Sequence, residues 1–184
     1  MTESSEAISL GWLDDLEVDA EDAQFDRWVV LHTRSRQEKV VAGHLDAHGV
    51  NHFLPLVSHV RHYGKRRANV ELPLFPGYVF LYGSNDQAYE ADRTKRLARI
   101  IQVPNQSQLT IELKNLHLAL ARQAPLDPYP YLRQGIWVEV RSGPFQGVQG
   151  VIDDRKNSHR LILKIDVLGQ AASLEIDGAL LEPR

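Results

Sequence analysis

Between Arg61 and Arg67 the chain reads Arg-His-Tyr-Gly-Lys-Arg-Arg: four fixed positive charges, a tyrosine and no acid. Such side chains neutralise phosphates, and a tyrosine among them offers a ring on which a base can stack. Arg61, Tyr63, Lys65, Arg66 and Arg67 are therefore the candidate nucleic-acid contacts, set against solvated charges on an exposed tip. Arg93, Lys95, Arg96 and Arg99 make a second basic group. The histidines raise a different chemistry. His44 and His48 lie four apart, with His52, His59 and His62 following. Zinc needs ligands that converge tetrahedrally, and nothing in this spacing fixes convergence, so no metal site is expected. Catalysis finds no constellation either. Asp153 and Asp154 are adjacent, so on a strand they point apart. No phosphate-binding loop and no dinucleotide fingerprint is present. The expectation is a non-enzymatic protein without a cofactor.

A second kind of chemistry, apolar docking, is suggested by Pro73-Leu-Phe-Pro-Gly-Tyr-Val-Phe-Leu81. Pro76-Gly77 is a turn signal, because proline fixes φ and glycine reaches conformations other residues avoid. Tyr78 to Leu81 then has the aromatic and β-branched content of a strand. The result is a rigid apolar corner at the mouth of a sheet. Taken alone, it reads as core packing at a sharp turn or as surface for a partner.

These groups must be positioned by a chain of 184 residues, long enough for one medium domain or two small ones. Hydrophobic residues at 43% and charged residues at 24% are ordinary for a globular protein. Without cysteine there is no disulfide and no thiolate metal site, which fits a reducing cytoplasm. No apolar run approaches the ~20 residues that span a bilayer. The net charge of −3 conceals an asymmetry. Residues 1–26 carry nine acids and no Lys or Arg, leaving 21 bases against 15 acids in the remainder. An acidic, disordered N-terminal extension over 1–26 is expected. Only Leu10-Gly-Trp-Leu13 and Leu16 could dock, as a short helical turn. The extension is then either a self-masking arm over a basic face or a solubilising tail.

Ordered structure is expected from Arg27, with Trp28 to Thr33 a buried strand. Ser35-Arg-Gln-Glu38 has the pattern of a capping box and starts a helix with Val40, Val41, His44, Leu45 and His48 as its inner stripe. Gly49 ends it. Val50 to Tyr63 forms a long strand interrupted by Pro55, Gly64-Lys65 a hairpin tip, and Arg66 to Leu72 the return. A helix over 86–97, a strand over 99–103 and a helix over 110–122 complete an α+β domain, 27–123. Three prolines in 124–135 predict a stiff extended linker. From Ile136 the apolar period is two, with glycine-rich turns, which predicts a small β-barrel over 136–184.

Within that last segment, Val138-Glu-Val-Arg-Ser-Gly-Pro-Phe-Gln-Gly-Val-Gln-Gly-Val-Ile152 resembles the KOW motif of NusG-type factors and some ribosomal proteins. Trp28-Val-Val-Leu31, Leu54-Pro55, the Gly64-Lys-Arg-Arg67 hairpin and Leu74-Phe-Pro-Gly-Tyr-Val79 resemble, in order, the NusG N-terminal (NGN) domain. The chain therefore resembles the NusG/RfaH family, and its hairpin and Pro-Leu-Phe-Pro entry look closer to the specialised RfaH-like members.

The resemblance implies an NGN-type antiparallel sheet with helices, joined to an SH3-like KOW barrel, in a monomeric cytoplasmic protein with no membrane partner. It implies a factor that binds the clamp helices of RNA polymerase during elongation and modulates pausing or termination. The docking wall would include Trp28, Leu54, Pro55, Phe75, Pro76, Tyr78 and Phe80, while the hairpin would reach non-template DNA or nascent RNA. The KOW partner, Rho or a small-subunit ribosomal protein, would meet Val167, Leu168 and Gly169. There the aromatic usual in housekeeping members is replaced by leucine. The RfaH-like Thr-rich motif is absent from Ser84 to Glu90. The period-two stretch Leu161 to Val167 favours a permanent barrel over a refolding helix. The alternative reading is a ribosome-associated or RNA-binding KOW protein without polymerase contact.

Overall fold

The computed structural model describes residues 10–17, 26–64, 66–131, 135–152 and 160–184. Lys65, the Tyr63 side chain, Asp153 and Asp154 lie outside the described residues, so the expectations placed on them are not addressed by it. In chain order the elements are α1 (Gly11–Asp15), β1 (Arg27–Thr33), α2 (Glu38–Ala47), β2 (His52–Phe53), β3 (Leu56–Tyr63) and β4 (Arg66–Pro73). There follow β5 (Tyr78–Gly83), α3 (Asn85–Asp92), β6 (Leu97–Gln102), α4 (Gln106–Ala121) and β7 (Asp127–Tyr129). The chain ends with β8 (Ile136–Val140), β9 (Gln149–Ile152), β10 (Arg160–Ile165), β11 (Gln170–Glu175) and β12 (Leu181–Pro183).

The first sheet has the order β2-β5-β1-β6, and its pairs are antiparallel. β1 is central, and successive side chains alternate between faces. Val29, Leu31, Val79 and Leu81 pack with Val41 and Leu45 of α2 and Ala88 and Ala91 of α3. Trp28, Val30 and Phe80 pack on the other face with Leu109, Leu113 and Leu116 of α4. Burial on both faces explains why Trp28 to Leu31 reads as an unbroken apolar run. Pro55 has no N–H to give a ladder, and the long strand expected there divides into β2 and β3. The latter pairs with β4 in a separate two-stranded hairpin, whose register closes at Tyr63↔Arg66.

Several boundaries differ from expectation for local reasons. No capping box forms at Ser35: Arg36 is left-handed at φ 60°, and α2 starts at Glu38 without a side-chain cap. Its buried stripe is Glu38, Val41, Ala42 and Leu45, and Val40 is 46% exposed. The capping box belongs instead to α3, where Ser84 and Gln87 cap reciprocally. α3 ends at Asp92, well short of 97, and α4 begins at Gln106, where Asn105 accepts the Gln108 N–H. Within the N-terminal extension α1 forms at the short docking turn expected there, and residues 1–9 and 18–25 lie outside the described residues.

The second sheet has the order β12-β8-β9-β10-β11-β7, also antiparallel. The stretch read as a free linker contributes its edge: β7 pairs with β11, and Ala124 and Leu126 are buried. Pro128 is tolerated there because an edge strand can leave one side unbonded. At Gly150 a Cβ would sit 2.6 Å from the Ile162 carbonyl oxygen, so only glycine lets β9 and β10 approach this closely. α4 lies between the sheets, and one continuous core runs from Trp28 through Leu113 and Leu116 to Leu161 and Leu174. Polar contacts follow the same seam: the Gln149 N–H donates to Asn115 Oδ1 at 3.0 Å, and Arg122 donates to the Gln146 carbonyl. Among the described residues no helix is long and apolar enough to cross a membrane.

Candidate functional site

The apolar corner is a hydrogen-bonded type II turn. The Tyr78 N–H returns to the Phe75 carbonyl at 3.3 Å, with Pro76 and Gly77 central and Gly77 at φ 89°. Three anchors hold it. The Leu74 N–H donates to the Pro55 carbonyl at 2.9 Å, the Thr33 N–H to the Gly77 carbonyl at 2.8 Å, and the Gly77 N–H to Glu38 Oε1 at 2.7 Å. Glu38 thus spends its carboxylate on the corner rather than on its own helix. Tyr78 stacks on His32 with ring centroids 4.9 Å apart. Beside it, His32 Nδ1 and Thr33 Oγ1 are buried with no hydrogen-bond partner among the described residues.

The seven residues implied for polymerase docking divide by burial. Phe75 and Phe80 are at most 2% exposed and Pro55 is buried, so these three form the wall's interior, while Trp28, 1% exposed, lies away from the corner under Trp12 of α1. Leu54 is half-buried against the α2 side of the sheet. Tyr78 is half-buried and Pro76 exposed, and these two carry the accessible surface. Next to them an open groove of about 670 Å³ runs between the corner and the hairpin. Val57, Val70, Leu72, Pro73 and Pro76 supply apolar lining, and the charged side chains are of both signs, Arg36, Lys39 and Arg61 with Glu38 and Glu71.

Arg61, Arg66 and Arg67 are exposed along the hairpin. Of the second basic group, Arg96 donates to Gln37 Oε1 just before α2 and Arg93 pairs with Glu90 at 2.8 Å. Val167 and Leu168 form a 3-10 turn ended by Gly169 at φ 59°, both half-buried against the core. The His44 and His48 rings meet at 4.2 Å, with His48 Nδ1 2.7 Å from the His44 carbonyl oxygen, while His52 faces Asp46 at 3.6 Å. Among the described residues no three His, Cys, Asp or Glu side chains are placed to hold a metal.

At the opposite end of the same sheet face an aromatic cluster has formed. Trp28 and Tyr82 are register partners whose rings meet edge-on at 5.2 Å, and Trp12 of α1 lies 5.8 and 5.9 Å from them. Trp28 Nε1 donates to Thr110 Oγ1 at 3.0 Å, fixing the indole against α4. Burial, with the Asp26 carboxylate adding to it, pushes the Tyr82 phenol up. Tyr82 and Glu38 escaped the sequence reading. The first shows only through strand alternation from Tyr78 and Phe80, and the second gave a signal that pointed to a helix cap.

The family model described as NusG, transcription termination factor, matches residues 26–117. A solved structure titled "Domain interaction in Thermotoga maritima NusG" is similar at 22% identity with a TM-score of 0.41. The match covers 85% of this chain and 96% of that one. Comparison with curated proteins finds no match. The matched span takes in the whole first sheet, the corner and most of α4, half of the chain, and on that ground the chain belongs to the NusG family of transcription factors.

Proposed function

We propose that this chain is a specialised NusG paralogue that binds RNA polymerase during elongation and modulates pausing and termination, acting as an antiterminator on particular operons. Proteins of the NusG family are non-enzymatic and bind RNA polymerase. The observation that carries the reading here is the corner itself. Pro76 and Tyr78 stand at the surface while Phe75, Phe80 and Pro55 brace them from behind. An aromatic wall held this rigidly loses little entropy on receiving the apolar face of an amphipathic helix. The basic hairpin, Arg61 with Arg66 and Arg67, then follows non-template DNA or nascent RNA through its phosphates. The C-terminal sheet acts as a KOW barrel that recruits a further factor, Rho or a ribosomal protein, through Val167, Leu168 and Gly169.

The test is capture of core RNA polymerase by the full chain, compared with Tyr78→Glu and Pro76→Glu. Pro76 is exposed, so Pro76→Glu should keep the wild-type melting temperature within a few degrees, while Tyr78→Glu gives up the stack on His32 and is read beside its own melting temperature. We expect polymerase capture to fall about tenfold, equivalent to about 1.4 kcal/mol. A wild-type chain that ignores polymerase and travels with ribosomal subunits would overturn the assignment in favour of a KOW protein acting on the ribosome.

A further inference from the structure

The groove at the Trp28 end of the aromatic face is already filled, and its occupant comes from outside the matched domain. Leu13 is fully buried there. Trp12 packs on Trp28 and Tyr82, and Leu10 and Leu16 add to the same contact. Leu10, Leu13 and Leu16 recur every third residue, which makes one apolar stripe on a helical turn. Asp14, Asp15 and Glu17 are exposed. From α4, Lys114 Nζ donates to the Asp14 carbonyl at 2.9 Å and to the Leu16 carbonyl, closing the open end of the helix. His117 Nε2 approaches Asp14 Oδ2 at 3.8 Å.

A helix of five residues has no stability of its own, because nucleation is not recovered in so few hydrogen bonds. Its N-cap, Leu10, makes no side-chain cap. α1 therefore exists because the groove holds it, and the family match begins only at residue 26, beyond it. Helix-in-groove recognition uses the same elements: an apolar stripe with an aromatic anchor, laid on an apolar slot.

We infer that Leu10–Leu16 is a resident ligand of this surface, an internal amphipathic helix that covers Trp28 and Tyr82 and competes with an amphipathic helix of the polymerase for the same aromatic face. The inference rests on the polymerase reading above. When the segment is seated, the docking face is incomplete, and the apparent Kd for polymerase rises by the inverse of the uncovered fraction. The masking by α1 is apolar and lies over the sheet.

The experiment uses the full chain carrying Leu13→Asp, which cannot seat a charge in that slot, and separately Lys114→Met, which removes the carbonyl clamp and leaves Leu13 in place. Capture of core RNA polymerase is titrated for each, with melting temperature and far-ultraviolet dichroism recorded alongside. Leu13→Asp should bind at least about tenfold more tightly than wild type and Lys114→Met by a smaller factor. A synthetic peptide spanning residues 9–17 should bind saturably to the Leu13→Asp chain and reverse the gain. Equal capture by wild type and both variants overturns the inference alone, as does a peptide that neither binds nor competes. Should Leu13→Asp misfold, Lys114→Met with the peptide decides. Capture of no chain overturns the polymerase reading and this inference with it.

Discussion

The Glu112 carboxylate of α4 accepts the backbone N–H of Asp166 at 3.1 Å across the seam between the two sheets. Its other oxygen accepts from Gln108 Nε2 at 3.0 Å, one turn back on the same helix. The side chain is only 5% exposed, so the contact that joins α4 to the second sheet is made by a carboxylate largely withdrawn from water.

That withdrawal makes the seam sensitive to pH. Burial raises the Glu112 pKa from 4.5 to about 7, with the Asp166 charge adding to it and Lys164 opposing. Between those values the folded chain holds a proton that the unfolded chain has released. This contribution is therefore complete below about pH 4.5 and is lost as pH rises toward 7, by up to about 1.4 kcal/mol per unit. Glu112→Gln should flatten the fall in stability between pH 4.5 and 7.5, measured as the difference in urea midpoint between variant and wild type. An identical slope in both chains would show that Glu112 does not titrate across the seam.

The corner gives a second prediction. Gly77 has φ 89°, so Gly77→Ala carries backbone strain, while the added Cβ would make only ordinary contact with the His32 ring at 3.5 Å. We expect a loss on the order of 1–3 kcal/mol. Glu38→Ala should cost a similar amount by leaving the Gly77 N–H without its charged acceptor, on the order of 1.5–3 kcal/mol. Thermal unfolding of each variant checks this, and a change under about 0.5 kcal/mol would mean the turn is held by its neighbours alone.

The sheet and the corner were legible in the residues because their signals are local. Trp28 to Leu31 is apolar on both faces, and Pro76-Gly77 admits few turns. The misplaced cap shows the limit. Ser35-x-x-Glu38 and Ser84-x-x-Gln87 have the same form, and only the left-handed Arg36 and the distant Gly77 N–H decide which one caps a helix. The proline-rich stretch shows the same limit. Three prolines do forbid a central strand, but the edge that accepts Asp127–Tyr129 is made by β11, over forty residues later. Of the docking residues, the sequence showed which are apolar but not which face out, since Phe75 and Tyr78 differ in burial through the turn between them.

For the hairpin, the expected outcome is a change in salt dependence. Each arginine that touches a phosphate adds close to one unit to the slope of log K against log salt, about 0.9 on a duplex and 0.7 on a single strand. Arg61→Gln, Arg66→Gln and Arg67→Gln should each lower that slope by about one unit or less and weaken binding to unrelated sequences alike. Fluorescence anisotropy of labelled single-stranded DNA between 50 and 200 mM salt, roughly the range over which such contacts fade, supplies the measurement. An unchanged slope in the triple variant would reduce these arginines to solvated charges.

Gly150 carries the last prediction, because it separates the second sheet from the first. A Cβ at this position would lie 2.6 Å from the Ile162 carbonyl oxygen and 3.0 Å from Leu161 Cδ1, and the nearest obstacle is backbone, which cannot rotate away. Gly150→Ala must therefore push β9 off β10 at the point where Val151 pairs with Ile162. Overpacking of this kind costs roughly 1–3 kcal/mol or more where backbone has to move. The loss should be felt first in amide protection of β9 and β10, and then at the α4 seam through the Gln149 N–H that donates to Asn115. Protection in β1 and β5, which pack on α2 and α3 through their other face, should fall less. Hydrogen exchange on the variant reads both regions at once, and uniform loss of protection would mean that the two sheets unfold as one cooperative unit around α4.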